Sequence, residues 1–306
     1  MGILTTANLT NCYNFLALAQ TMGEKTESKL SNGFRKYKLN YSWEKKDPQE
    51  KIFRMTPFFK KNVKLPEEWD LRDNLQHSLK IYDQGLFGTC VSQSVSYHMQ
   101  IVAARQRADD DKTNDVAEDF LPSRMFIYWN ARKKAGLPAD EDTGVGIRSA
   151  FHAVSDYSTC REELWPYDED HIYEEPSREA YIDSEKYPNF SSIRLSQDPY
   201  ALKLCLYQGY AVSVGLQLYD SFMSDEVAST GKVPIPDTSS EKHLGGHCVT
   251  LIGWHNNSAD SDEDDTFTVL NSWGDCWGDK GGCHIPVSYV CNPCLADDFH
   301  SMRKFY

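Results

Sequence analysis

The chain has 306 residues, 40% of them apolar and 25% charged, with 45 acidic against 32 basic side chains and a net charge of −13. That length holds two core-forming lobes, or one large domain with an extension, and the composition is that of an ordinary soluble globular protein. The acidic balance excludes the basic face that nucleic acid requires and the polybasic patch that anionic lipid requires, and no apolar run approaches the roughly 18 residues of a membrane span.

In chain order, the first apolar patch is Phe15-Leu16-Ala17-Leu18-Ala19. It lacks a basic flank and is interrupted upstream by Asn8, Asn11 and Asn14, so it does not read as a secretory signal, and a cytoplasmic location is expected. Met1-Gly2-Ile3-Leu4-Thr5-Thr6 fits the formal myristoylation pattern and is read as a chance match. Residues 1–64 are polar and without sustained periodicity. They carry a basic-aromatic patch at Phe34-Arg35-Lys36-Tyr37-Lys38 and the run Phe58-Phe59-Lys60-Lys61. Leu65-Pro66 marks the entry into ordered structure, since proline biases its predecessor toward extended backbone.

From Thr89 to about Ala108 the apolar residues Val91, Val95, Met99, Val102 and Ala103 recur at steps of three and four, which predicts a helix with one apolar face. Asp109-Asp110-Asp111-Lys112 reads as a solvated loop. Further helices are expected over Ser123–Lys134 and from Ile147. After about residue 190 the pattern turns to strands: 210–216, 247–253 and 266–270 are short apolar or alternating runs bounded by glycine, proline and charge. The acidic stretch 259–265 lacks the glycine and terminal glutamate of a calcium loop and reads as a hairpin tip.

Three separated stretches carry chemistry: Gln84-Gly85-Leu86-Phe87-Gly88-Thr89-Cys90, Gly245-Gly246-His247-Cys248 and Asn271-Ser272-Trp273-Gly274. Cysteine attacks a carbonyl as the thiolate, an imidazole can take its proton, and a carboxamide can orient that imidazole. Cys90 falls in the first turn of the predicted helix, where unpaired N–H groups and the helix dipole favour a thiolate. His247 follows Cys90 by 157 residues (247 − 90) and precedes Asn271 by 24 (271 − 247), near the 130–150 of the papain type with modest insertions. His243 and His255 lie close by, but only His247 follows a glycine pair and opens an apolar strand.

With these motifs, together with Trp277-Gly278 and stretches such as Trp129-Asn130-Ala131-Arg132, Leu164-Trp165-Pro166-Tyr167 and Tyr219-Asp220-Ser221-Phe222, the chain from about Leu65 onward resembles the papain-like (cathepsin-like) cysteine peptidases. The likeness is to a sub-branch with short N-terminal extensions seen in bacteria and large DNA viruses. It implies an α+β, two-lobe fold: a helical lobe at about 83–190, an antiparallel β-barrel lobe at about 191–306, and the cleft between them. Residues 1–64 would be a propeptide, either occluding the cleft until cut near residues 60–66 or a plain disordered leader; the longer cathepsin prosegment motif is absent. For a viral source, packaging in the virion is the alternative location.

The same resemblance implies the roles. Cys90 is the nucleophile, His247 the acid and base, resting as an imidazolium paired with the thiolate, and Asn271 the group that fixes its ring. Gln84 supplies an oxyanion-hole amide with the Cys90 N–H, and Trp273 shields the His–Asn bond from water. Gly144, in the stretch Asp142-Thr143-Gly144-Val145-Gly146, and Gly246 line the cleft. Gly215 leaves room in the pocket for the second residue before the scissile bond, and a bulky apolar side chain is expected there. Two departures stand out: Phe87 replaces a cysteine that forms half of a familiar disulfide, and Val91 replaces a tryptophan beside the nucleophile.

The expected activity is that of an endopeptidase acting on polypeptides through a thioester, with no cofactor. The alternatives are a catalytically silent peptide-binding relative and an exopeptidase, deubiquitinase-like hydrolase or transamidase with the same triad. Of nine cysteines, reduced thiols are the default expectation. Cys276, Cys283, Cys291 and Cys294 include one close pair, but the six-residue gap between the first two is too wide for a usual zinc site, so disulfides or unpaired thiols are expected and no metal.

Overall fold

The computed structural model describes residues 37–44, 52–53, 63–75, 77–109, 120–187, 190–257 and 264–304. The N-terminal stretch 1–36, the Phe58–Lys61 run, most of the loop after 109 and residues 259–263 of the acidic stretch lie outside them. Among the described residues the elements are β1 (Ile52–Phe53), β2 (Glu68–Asp70), α1 (Cys90–Asp109), α2 (Arg124–Ala135), α3 (Ile147–Tyr157), α4 (Arg178–Ser184), β3 (Phe190–Leu195), α5 (Pro199–Tyr207), β4 (Val212–Tyr219), α6 (Asp225–Thr230), β5 (His243–His255), β6 (Thr266–Leu270), β7 (Gly282–Pro286), α7 (Val287–Val290) and β8 (Ala296–Lys304).

α1 organises the rest. Val91, Val95 and Met99 join the helical core with Phe126, Ile147 and Phe151, whereas Tyr97 and Ile101 join the sheet core with Leu251, Trp254 and Phe267. A helix between two cores has no solvent face, and the expected single apolar stripe is corrected accordingly: from Cys90 to Ile101 every side chain is buried, including Ser92, Gln93, Ser94, Ser96, His98 and Gln100. Most of these polar groups find partners. Ser94 Oγ bonds Ser213 Oγ (2.7 Å) and Thr250 Oγ1 (2.6 Å), His98 Nε2 bonds Ser213 Oγ (2.9 Å), and Gln100 Oε1 accepts the Lys80 N–H (3.0 Å). Each such bond contributes about 1 kcal/mol, and losing one would leave a buried group unsatisfied at a cost of about 1–3 kcal/mol.

α2 is closed at both ends as its sequence suggests. The Ser123 hydroxyl accepts the Phe126 N–H, and Gly136, at φ 67°, ends the helix in the left-handed conformation.

The strands pair in the open order β1-β3-β8-β4-β5-β6-β7, with β2 added to β5. The β1–β3 pair is parallel and the others antiparallel. β4 is central, with β5 on one side and β8 on the other, and is buried at almost every position. Gly215 on β4 pairs with Cys248 of β5 and with Asp297 of β8, one row across three strands. On β8 the step from Asp297 to His300 spans three residues against two from Ser213 to Gly215, a bulge that coincides with the positive φ (58°) of Asp298.

Among the described residues, Cys276 is exposed, Cys283 buried and Cys294 disulfide-bonded. Disulfide or free thiol is the expectation for Cys276, Cys283, Cys291 and Cys294, and Cys294 takes the first state while the other three are free.

Candidate active site

Cys90 is the first residue of α1, and the loop before it is held from three sides. Gln84 donates its backbone N–H to Ser272 O (2.8 Å), and its carbonyl accepts the Tyr167 hydroxyl (2.8 Å), which also meets Thr89 Oγ1 at 2.5 Å. Gln84 Oε1 accepts Ser272 Oγ (2.7 Å), so Nε2 is turned the other way, donating to Phe87 O (2.9 Å) and Lys38 O (3.1 Å). On the far side, Asp142 accepts the Gly88 N–H (3.0 Å to Oδ2) and the Tyr128 hydroxyl (2.5 Å to Oδ1). This carboxylate ties the nucleophile loop to the 142–146 wall at the point where Phe87 replaces the disulfide cysteine.

His247 and Asn271 come together from β5 and the end of β6. His247 Nε2 meets Asn271 Oδ1 at 2.8 Å, and the same oxygen accepts the Ser272 N–H at 2.8 Å. Two donors on one amide oxygen fix its orientation, so Nε2 carries the hydrogen and Nδ1 holds the lone pair. The Trp273 ring stacks on the imidazole at 4.9 Å and 29° between planes, and is itself buried. Tyr97 Oη donates to the Asn271 carbonyl (3.0 Å), which links this wall to α1. His243 and His255 stand elsewhere, on Gln217 and beside Glu68.

Residues 37–44 fill the cleft. Tyr37 stacks on Trp273 (4.7 Å, 9°) and donates its hydroxyl to the Trp273 carbonyl (2.7 Å). Lys38 Nζ pairs with Asp142 Oδ2 at 2.6 Å. Tyr41 donates its N–H to Gly246 O (3.1 Å) and bridges Val145 in parallel, and Ser42 donates to Val145 O (3.3 Å). Glu44 accepts the Ser149 N–H at 3.0 Å.

The cleft glycines are the points of contact. At Gly144, φ is +72° and an added Cβ would lie 1.7 Å from the Asn40 carbonyl; at Gly215 it would lie 2.3 Å from the Tyr41 ring. No other residue fits either position without displacing the segment. The space over Gly215 is filled by the Tyr41 ring. It is not apolar throughout, because the Tyr41 hydroxyl ends between Asp297 Oδ1 (3.2 Å) and Asp298 Oδ2 (3.3 Å).

This filling sets the electrostatics. Burial pushes the Cys90 thiol up to about 12, against the weaker pull of the Cys248 and Val91 amides. Burial likewise lowers His247 to about 4, against the Asn271 hydrogen bond. Both shifts disfavour the thiolate–imidazolium pair while the two groups are buried. Burial penalises each charge, and His247 Nδ1 makes no hydrogen bond among the described residues.

Of the residues singled out in the sequence, His247, Asn271, Trp273 and Gln84 form one bonded and stacked group, Cys90 lies on the backbone of Cys248, and Gly144, Gly215 and Gly246 lie against Asn40 and Tyr41. Sequence reasoning passes over Lys38, Tyr41, Tyr128, Asp142 as a clamp, Tyr167, Asp297 and Asp298. The basic-aromatic patch held a signal for Tyr37 and Lys38, but nothing local marks the Asp–Tyr pairs, which meet only through the fold.

The profile of the Papain family cysteine protease group matches residues 65–297. An uncharacterized peptidase C1-like protein of Acanthamoeba polyphaga mimivirus is 32% identical over 264 residues, covering 83% of this chain and 79% of that protein. Among solved structures, xylellain, a cysteine protease from Xylella fastidiosa, superposes with a TM-score of 0.72 at 27% identity, covering 91% of this chain and 100% of that one. Procathepsin B S9 from Trypanosoma congolense shares the fold at 16% identity and a TM-score of 0.61, covering 99% of each chain. An α+β fold built around a cysteine-bearing helix and a histidine-bearing strand, matched along most of its length by that profile, makes this chain a member of the papain family of cysteine proteases.

Proposed function

We propose that the protein is a cysteine endopeptidase made as a self-occluded precursor, with residues 1–64 as the removable extension, cut near residues 60–66. The observation that carries this reading is the backbone of residues 37–44 along the cleft, with the Lys38 carbonyl on the Gln84 amide. The segment runs from Tyr37 on Trp273 to Glu44 on Ser149, as an extended substrate would along an open cleft. That favours an endopeptidase over an exopeptidase, which blocks one end.

Once the segment leaves, water re-enters and ionisation becomes less costly. The Cys90 proton moves to His247 Nδ1, whose lone pair is set by the Nε2–Asn271 bond. The sulfur attacks the substrate carbonyl, and the resulting oxyanion takes hydrogen bonds from Gln84 Nε2 and the Cys90 N–H. Collapse breaks the C–N bond, with His247 returning its proton to the departing amine and leaving a thioester. Water, deprotonated by His247, hydrolyses the thioester and frees Cys90 as the thiol.

Turnover of an internally quenched peptide tests this reading. The expected result is hydrolysis at internal bonds after the extension is removed, little before, and none with Cys90→Ala. Processed protein that cleaves no peptide, or that only trims termini, contradicts it.

A further inference from the structure

Cys248 is a buried nucleophilic side chain that the acyl-transfer steps do not use. It follows His247 on β5, is a free thiol and is 1% exposed, against 0% for Cys90. Successive strand residues face opposite ways. Val249 and Leu251 join the sheet core, whereas Cys248 joins the helical core that contains Cys90 and Tyr41. Cys248 therefore faces α1.

The packing of α1 on β5 fixes where the two cysteines meet. Ser94 Oγ bonds Val249 O at 3.3 Å and Thr250 Oγ1 at 2.6 Å. Cys90 lies one helical turn before Ser94, about 6 Å along the axis, which is the length of about two strand residues. That step carries Cys90 from the level of Thr250 to the level of Cys248, and the Cys90 thiol accepts the Cys248 N–H. The Cys248 thiol meets the Ser94 hydroxyl, one turn further along the same helix face. Burial first, and charge on Cys90 second, hold that thiol well above its usual pKa, so the two sulfurs are close enough to feel one another.

Resting on Cys90 as the nucleophile of the endopeptidase reading, we propose that Cys248 is a resolving thiol, which closes a peroxide-oxidised Cys90 into a Cys90–Cys248 disulfide in the processed enzyme. The Cys90 thiolate attacks one peroxide oxygen, the O–O bond breaks, and hydroxide leaves with Cys90 as the sulfenic acid. The Cys248 sulfur then attacks the Cys90 sulfur, the S–O bond breaks, and the hydroxyl departs with the Cys248 proton as water. Peroxide is thereby reduced to water and the two thiols are oxidised. A dithiol reductant reverses the bond by exchange and is itself left as a disulfide. The disulfide stops acyl transfer reversibly and keeps Cys90 from the sulfinic acid, which thiols do not reverse. In the full chain, burial disfavours the thiolate that peroxide needs, so the reaction belongs to the processed form.

The test uses the full chain after proteolytic removal of its extension, as wild type and Cys248→Ala, with Cys90 counted by an epoxysuccinyl inhibitor. Each is treated with hydrogen peroxide, its free thiols are alkylated, and its peptides are mapped without reduction. The wild type is expected to lose titration, to yield a Cys90 peptide joined to a Cys248 peptide, and to regain most of its titration with dithiothreitol. In Cys248→Ala the same dose is expected to carry Cys90 on to the sulfinic acid, with about fivefold less titration regained. Wild-type protein whose Cys90 becomes sulfinic with no joined peptide overturns the proposal, and leaves the protease intact. Recovery of Cys248→Ala as complete as that of the wild type also overturns it. The wild-type peptide map decides this even if the variant fails to fold. A processed chain whose Cys90 does not titrate before peroxide is added removes the endopeptidase reading, and the proposal with it.

Discussion

Gln84 donates its side-chain amide to the carbonyl of Lys38 at 3.1 Å, so a peptide carbonyl of the chain itself lies on the donor proposed to receive a substrate oxyanion. The donor is fixed in place by Ser272, which bonds the opposite end of the same amide. Gln84→Ala is expected to lower kcat of the processed enzyme by about 10²–10³, with a smaller change in KM, the signature of a contact made mainly in the transition state. Steady-state kinetics with a single reporter peptide check this.

Tyr41 and Lys38 anchor the occluding segment unequally. Lys38 is one-third exposed, and its pairing with Asp142 is weakened by solvent, whereas Tyr41 is buried against Gly215 and Gly246. A synthetic peptide of residues 37–44 should inhibit the processed enzyme. Tyr41→Ala should weaken it by about 100-fold, in line with the loss of a buried aromatic anchor, and Lys38→Ala by less than about 10-fold. Inhibition constants from progress curves give the order, and the reverse order would contradict it.

Asp142 ties the loop before Cys90 to α2 through Gly88 and Tyr128. Removing its carboxylate leaves the Gly88 N–H and the Tyr128 hydroxyl without their acceptor, at about 1–3 kcal/mol each. Asp142→Ala is expected to lower the melting temperature by several degrees and kcat by about 10-fold or more through displacement of the Cys90 loop. Asp142→Asn, which keeps one oxygen, should recover part of both. Thermal unfolding alongside kinetics separates the two effects.

The buried histidines make the fold acid-sensitive. His98, on Ser213 between the cores and facing His300, is lowered from 6.5 to about 3 by burial first and His300 second, and His247 is lowered to about 4. Each binds its proton more readily in the unfolded chain. Their contribution is therefore complete above about pH 6.5 and is lost as the pH falls toward the folded values, several kcal/mol in all. Unfolding free energy measured from pH 7 to 4 should fall steeply, and more shallowly for His98→Gln.

The element types and the meeting of His247 with Asn271 were legible because each rests on a local signal: periodicity for α1, glycine pairs before His247, and the Asn271-Ser272-Trp273-Gly274 run. α1 misled on its surroundings, since buried serines and glutamines look like a solvent face until Ser213, Thr250 and Lys80 supply their partners from distant segments. The contacts of residues 37–44 with Gln84, Trp273 and Gly246 were hidden for a related reason: none of the three motifs contains that information. The carboxylates under Tyr41 were hidden by a strand bulge that no composition window reveals.

The most direct measurement is intact-mass spectrometry after treatment with an epoxysuccinyl thiol-protease inhibitor, on the full chain and after removal of the extension, for wild type and Cys90→Ala. The account predicts no adduct on the full chain at neutral pH, where Cys90 is a covered thiol. It predicts a single adduct after removal and none in Cys90→Ala. Equal labelling of Cys90 with the extension in place, or no adduct on the processed wild type, would contradict it.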